Sequence, residues 1–148
     1  MILCLETSSP VCSVALCNSD GVVALKESRE NKSHASLLTV YIEQVLSEAG
    51  ITVGDLEAIA VSKGPGSYTG LRIGVSVAKG IAYASSLPLI SVETTLSMFH
   101  GISDTVNMKD TTDAKTIFIP MIDARRMEVY YSVFSSDGKV LKDISAEI

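Results

Sequence analysis

The stretch Lys63-Gly64-Pro65-Gly66-Ser67-Tyr68-Thr69-Gly70 has the make-up of a phosphate cradle. Its glycines, hydroxyls and one cation lie between the apolar run 56–61 and the helix-like segment 71–78. Anions are held where such a loop opens a helix, because unpaired backbone N–H groups and the helix dipole converge there. A nucleotide P-loop needs Lys-Ser or Lys-Thr after its last glycine, whereas Gly70 is followed by Leu71-Arg72, so that motif fails. Gly64-Pro65-Gly66-Ser67-Tyr68 is also an incomplete match to a hydrolase serine elbow. The remaining reading is geometric: Gly64-Pro65-Gly66 turns the chain sharply and Ser67 or Thr69 caps the next helix.

A second pair of residues could do chemistry together. Sliding the sequence until Glu6 lies on Asp123 also brings Asp20-Gly21 onto Asp137-Gly138, and the apolar runs around them fall in register. The chain therefore contains a duplicated meander with an acid at the tip of each first strand. That outline resembles the actin-like ATPase and sugar-kinase superfold, in which two ribonuclease-H-like lobes face a nucleotide cleft. A working cleft has glycine at its strand tips so that backbone N–H groups can approach phosphates. The tips here, Glu6-Thr7-Ser8-Ser9-Pro10 and Asp123-Ala124-Arg125-Arg126-Met127, contain none. Glu6 is also one methylene longer than Asp, which displaces a Mg²⁺ ligand. Thr7, Ser8 and Arg125 still offer hydroxyls and charge. Two readings stand: a nucleotide cleft using Glu6, Thr7 and Asp123, or a vestigial hairpin pair held by packing.

Metal chemistry is poorly supplied. His34 and His100 are the only histidines, and they do not share a helical face at a ligand spacing. His34 is expected to be exposed in the first turn of its helix, and His100 to close a short helix before Gly101. Cys4, Cys12 and Cys17 lack Cys-x-x-Cys spacing and read as small buried thiols of a reducing compartment.

The elements that must position these residues emerge from periodicity. Strands are expected at 2–5, 11–17 and 22–26, with Asp20-Gly21 as a hairpin turn. A helix is expected over 33–49, where Leu38, Tyr41, Ile42, Val45, Leu46 and Ala49 recur at helical spacing and Gly50 stops it. Next in the chain come a strand near 57–62, a helix from about 69 to 85, a strand at 89–92 and a short helix from 94 to about 100. This alternation gives an α/β lobe with a mixed sheet and flanking helices, because parallel strands require crossovers. Residues 1–103 form this first lobe, 104–115 a polar linker, and 116–148 the three-strand start of an incomplete second lobe. The chain thus reads as a fragment or an unusually short form.

Gly70, Gly74 and Ala78 form a ridge of small residues along one helix face, which another helix could approach closely. Leu37 and Val40 widen the apolar stripe of the preceding helix beyond what a sheet needs. Either the two helices pack on each other, or they form a docking face.

The composition narrows the field. With 148 residues, 47% hydrophobic and 20% charged, and mean hydropathy +0.33, the chain has apolar surface to spare for a partner. A net charge of −5 and a pI of about 4.9 disfavour direct binding to nucleic-acid backbones. No apolar run approaches a membrane span of about 20 residues, and a cytoplasmic location is expected.

The segments ILCLETSSPVCSVAL, VSKGPGSYTGLRIGVSVAKGIA, PLISVETTLSM and DARRMEVYYSVF together resemble the bacterial TsaB (YeaZ) family, over nearly the whole chain. Many family members carry Asp where Glu6 stands. The resemblance implies an actin-like fold and a non-catalytic paralogue of TsaD, acting as adaptor in threonylcarbamoylation of adenosine 37 of tRNA. It implies no cofactor, no metal and no catalytic residue. It further implies a heterodimer with TsaD, TsaE joining a larger complex, a homodimer in their absence, and tRNA contacted at most indirectly. The docking face would comprise Leu38, Tyr41, Ile42, Val45, Gly70, Gly74, Val77, Ala78 and Ile81. An actin-like ATPase or kinase, or a glycoprotease-like peptidase, are the alternatives.

Overall fold

The computed structural model describes residues 1–29, 34–105 and 116–148. It divides into two compact units, Met1–Val92 and Glu93–Ile148.

The first unit opens with strands β1 (Ile2–Glu6), β2 (Cys12–Asn18) and β3 (Gly21–Ser28). β1 and β2 are antiparallel, with Leu3 opposite Leu16 and Leu5 opposite Val14. β2 and β3 are antiparallel too, joined where Asn18 Oδ1 accepts the amides of Asp20 and Gly21. Helix α1 (His34–Glu48) leads to a short 3-10 turn at Val53–Asp55 and then to β4 (Ala58–Gly64), parallel to β1. Helix α2 (Tyr68–Ser85) returns the chain to β5 (Leu89–Glu93), giving the sheet order β3-β2-β1-β4-β5.

Strand alternation sends Leu3, Leu5, Val14, Leu16, Ile59 and Val61 to one face of this sheet, where they meet Leu38, Ile42, Val45 and Leu46 of α1 and Ala78 and Ala82 of α2. α1 lies on β2 and β3, and α2 on β4 and β1. The stop expected at Gly50 is present: its φ is 66° and Ile51 N donates to Leu46 O. At the head of α2, Ser67 is the cap, its Oγ accepting Gly70 N at 3.3 Å.

The second unit begins with α3 (Thr94–Thr105), succeeded by β6 (Ile117–Phe118), β7 (Met121–Arg125), β8 (Glu128–Ser135) and β9 (Val140–Glu147). β6 and β7 both pair with one side of β8, and β9 with its other side. This is the expected three-strand meander, with its first strand interrupted before Met121 at Pro120, which lacks the N–H a ladder needs. Phe99 of α3 stacks on Phe134 at 4.8 Å between ring centroids, and Thr95 and Ser132 share a buried hydrogen bond of 2.9 Å.

Two expectations need correction. α3 does not stop at His100 but runs through Gly101 to Thr105, so the start of the expected polar loop is helical. α3 also groups with the second unit, not the first. The linker expected at 104–115 lies, from 106 onward, outside the described residues.

Candidate functional site

The candidate site is the tip of β1 and the glycine loop that closes over it. Glu6 ends β1 with both carboxylate oxygens engaged: Oε1 accepts Ser8 N at 2.5 Å, and Oε2 accepts the Ser62 hydroxyl from β4. The matching acid of the second unit behaves alike, since Asp123 Oδ1 accepts Arg125 N at 2.7 Å. Each strand-tip acid thus binds the amide two residues on, and the duplication seen in the sequence is a duplication of local geometry. The two tips differ in the length of the turn beyond the acid. Five residues separate β1 from β2, whereas Arg126 and Met127 alone turn β7 into β8.

Thr7 is fully buried, and its hydroxyl donates to Gly70 O at 2.8 Å. Ser8 is buried as well, and its carbonyl accepts Ser67 N at 2.6 Å. A Cβ on Gly66 would stand 2.4 Å from Ser8 O, one on Gly70 2.0 Å from Thr7 O, and one on Gly74 2.3 Å from Thr7 Oγ1. No side chain fits in those gaps. The glycines of the loop and of α2 therefore admit the β1 tip against the helix, and the hydroxyl of Thr7 is spent inside the fold. Among the nucleotide candidates, Glu6 and Thr7 are committed to internal hydrogen bonds, while Asp123 is exposed.

This packing bears on the expected docking face. Gly70, Gly74 and Ala78 point at the chain's own β1 tip and sheet, and Leu38, Ile42 and Val45 lie in the core under α1. A ridge of small residues at intervals of four signals a close approach, and here the neighbour is the same chain. Tyr41, Val77 and Ile81 are half-buried at the margin of that core.

Outside it, α2 presents a different surface. Tyr68, Thr69, Arg72, Ile73, Ser76 and Val77, with Ala35 of α1, line a groove of about 420 Å³. The Arg72 guanidinium lies over the Tyr68 ring, 5.4 Å from its centroid, and Nη1 donates to Tyr68 Oη at 3.4 Å. Tyr68 is 74% exposed. The sequence carries a signal for this pair, since Tyr68 and Arg72 stand four residues apart on one helix face.

His34 is not exposed as expected: it is half-buried, and its Nε2–H donates to the Ser9 carbonyl at 3.0 Å, tying α1 to the loop after β1. His100 lies edge-on to Phe99, with 5.3 Å between centroids. Among the described residues no three His, Cys, Asp or Glu side chains gather as a metal site. Cys12 is buried as expected, but Cys4 and Cys17 are half-buried. Among the described residues no helix is long and apolar enough to cross a membrane.

Comparison with known proteins places this geometry. The family model for TsaD, tRNA N6-adenosine threonylcarbamoyltransferase, matches residues 21–148. The tRNA threonylcarbamoyladenosine biosynthesis protein TsaB of Escherichia coli is 34% identical over 136 residues, covering 92% of this chain and 55% of that protein. TsaB of Bacillus subtilis is 29% identical over 143 residues, covering 97% and 58%. A crystal structure from Pseudomonas aeruginosa, described as an uncharacterized protein with similarity to peptidase YEAZ, superposes with a TM-score of 0.84 at 26% identity, over 99% of this chain and 65% of that one. The chain spans a little over half the length of these curated relatives.

Proposed function

The chain belongs to the TsaD family, on the side of its TsaB (YeaZ) members, and we propose that it is a non-catalytic subunit of tRNA threonylcarbamoyladenosine synthesis that docks on a TsaD partner in the cytoplasm. The observation that carries the non-catalytic reading is the closed β1 tip. Glu6 and Thr7, the residues that would face a metal-nucleotide, have their polar atoms taken up by Ser8, Ser62 and Gly70. An ATPase would need them free, because Mg²⁺ demands carboxylates in near-ideal octahedral geometry.

Docking is assigned to the outward side of the two helices, with Tyr68, Arg72, Ile73, Ser76 and Val77 at its centre and Tyr41 and Ile81 at its margin. A half-buried apolar strip flanked by a tyrosine and an arginine has the composition of an interface hot spot. TsaD is the preferred partner, and a second copy of this chain competes for the same surface when TsaD is absent. TsaE and tRNA belong to the larger assembly. A peptidase reading gains no support from Ser67, whose Oγ accepts a backbone amide as a helix cap.

The test is reconstitution. Formation of threonylcarbamoyladenosine by TsaD should depend on adding this chain, and the chain alone should show no magnesium-dependent ATP turnover. Turnover by the chain alone would overturn the non-catalytic reading.

A further inference from the structure

Cys4 of β1 and Cys17 of β2 stand together on the sheet face turned away from α1 and α2. Leu3, Leu5, Val14 and Leu16 enter the helix-covered core, so strand alternation sends Cys4, Ala15 and Cys17 the other way. The register sets Cys4 opposite Ala15 and Ile2 opposite Cys17, which makes the cysteines diagonal neighbours. On the other flank, β4 places Ala60 opposite Cys4 and Ala58 opposite Ile2. These small side chains surround the pair without burying it, and both thiols stay half-buried.

The Cys4 thiol feels its Cys17 neighbour. Burial, and then the neighbouring Cys17, push the Cys4 thiol up to about 12, so the free pair is a protonated dithiol and a poor nucleophile. A disulfide is disfavoured by the backbone. Diagonal partners in an antiparallel pair sit about 7–8 Å apart, beyond the roughly 4.4–6.8 Å between Cα atoms that an S–S bond spans. An ion placed between the sulfurs lengthens the bridge and removes that conflict.

We propose that Cys4 and Cys17 form a two-sulfur binding site for a soft monovalent cation of the Cu(I) type. Two sulfur donors without nitrogen or oxygen ligands select soft, low-coordinate ions over zinc, which takes four ligands. Binding forms two metal–sulfur bonds and releases both thiol protons to solvent, with no change in oxidation state.

The test titrates the 148-residue chain with Cu(I) under anaerobic conditions, in competition with the chromophoric chelator bicinchoninate. The expected result is one ion held per chain, with a sulfur-to-copper charge-transfer band in the ultraviolet. Cys4→Ser and Cys17→Ser should each abolish retention and the band while leaving the far-ultraviolet circular dichroism unchanged; where a serine variant unfolds, the alanine variant is read in its place. Failure of the wild-type chain to hold Cu(I), or retention by either single variant, overturns the proposal. So does quantitative conversion of the pair to an intramolecular disulfide by oxidised glutathione, because it would show that the strands allow the S–S bond.

Discussion

The Thr7 hydroxyl donates to the Gly70 carbonyl at 2.8 Å, and a Cβ on Gly70 would stand 2.0 Å from the Thr7 carbonyl oxygen. One contact therefore seals the strand tip and explains a glycine in the first turn of α2. The outward surface of the same helix carries the groove lined by Tyr68, Arg72 and Ser76.

Substitution of these glycines separates close approach from helix propensity. Alanine is favoured over glycine inside a helix by about 1 kcal/mol, yet at Gly70 and Gly74 it collides with Thr7. Overpacking of this kind costs about 1–3 kcal/mol. Gly70→Ala and Gly74→Ala should lower the urea midpoint, whereas Gly80→Ala, with nothing within 4 Å of its added Cβ, should raise it. The corollary is that Gly74 and Ile42, both buried, are unsuitable probes of docking.

Thr7→Val keeps the shape and removes the hydroxyl. The Gly70 carbonyl keeps its place in the helix ladder and loses its second donor, and a typical hydrogen bond contributes about 0.5–1.5 kcal/mol net. Equilibrium denaturation should show a loss in that range with an unchanged m-value, and an unaltered midpoint would show that the contact contributes nothing.

The β7–β8 turn carries avoidable strain. Arg125, Arg126 and Met127 have φ of 67°, 55° and 66°, and the left-handed region costs a non-glycine residue about 1–2 kcal/mol. A two-residue hairpin of this sense favours Asn-Gly. The double substitution Arg126→Asn with Met127→Gly should stabilise the chain by about 1–2 kcal/mol, read as a higher melting temperature.

Two exposed carboxylates set part of the acid limb of stability. The backbone amide and hydroxyl of Thr52 both donate to Asp55 at 2.8 Å and hold it below the ordinary value of 3.8. The Met1 amine does the same to Glu57, below 4.5, by its hydrogen bond and charge. Groups depressed in the fold stabilise it above their unfolded values and lose that contribution as pH falls through their folded values. Stability should therefore decline below about pH 4.5, the ordinary Glu value. Asp55→Asn and Glu57→Gln should flatten the decline.

Much of this architecture was written in local patterns. Asp20-Gly21 and Asp137-Gly138 marked equivalent turns, and Gly21 and Gly138 do take positive φ of 130° and 84°. The stripe through Leu38, Ile42 and Val45 marked α1 because its period is that of a helix. The neighbour that the small-residue ridge of α2 would meet was not legible, since glycine at intervals of four signals a close approach without naming the partner. Thr7 and Gly70 are far apart in the chain, and only the parallel pairing of β1 with β4 brings them together. α3 outran its expected end because Gly101 is exposed, and one glycine costs a helix only about 1 kcal/mol. The strand-tip acids were found by duplication, but their engagement by Ser8, Ser62 and Arg125 depends on side-chain placement that spacing does not encode.

The most direct test of docking through the outward side of α2 is the affinity of this chain for TsaD, measured by titration calorimetry, with Ser76→Arg compared against wild type. Ser76 is exposed at the centre of the groove, so the substitution should leave the melting temperature unchanged. The account predicts a loss of binding of about 2 kcal/mol or more, the scale of an interface hot spot. Wild-type affinity in the folded variant would contradict it.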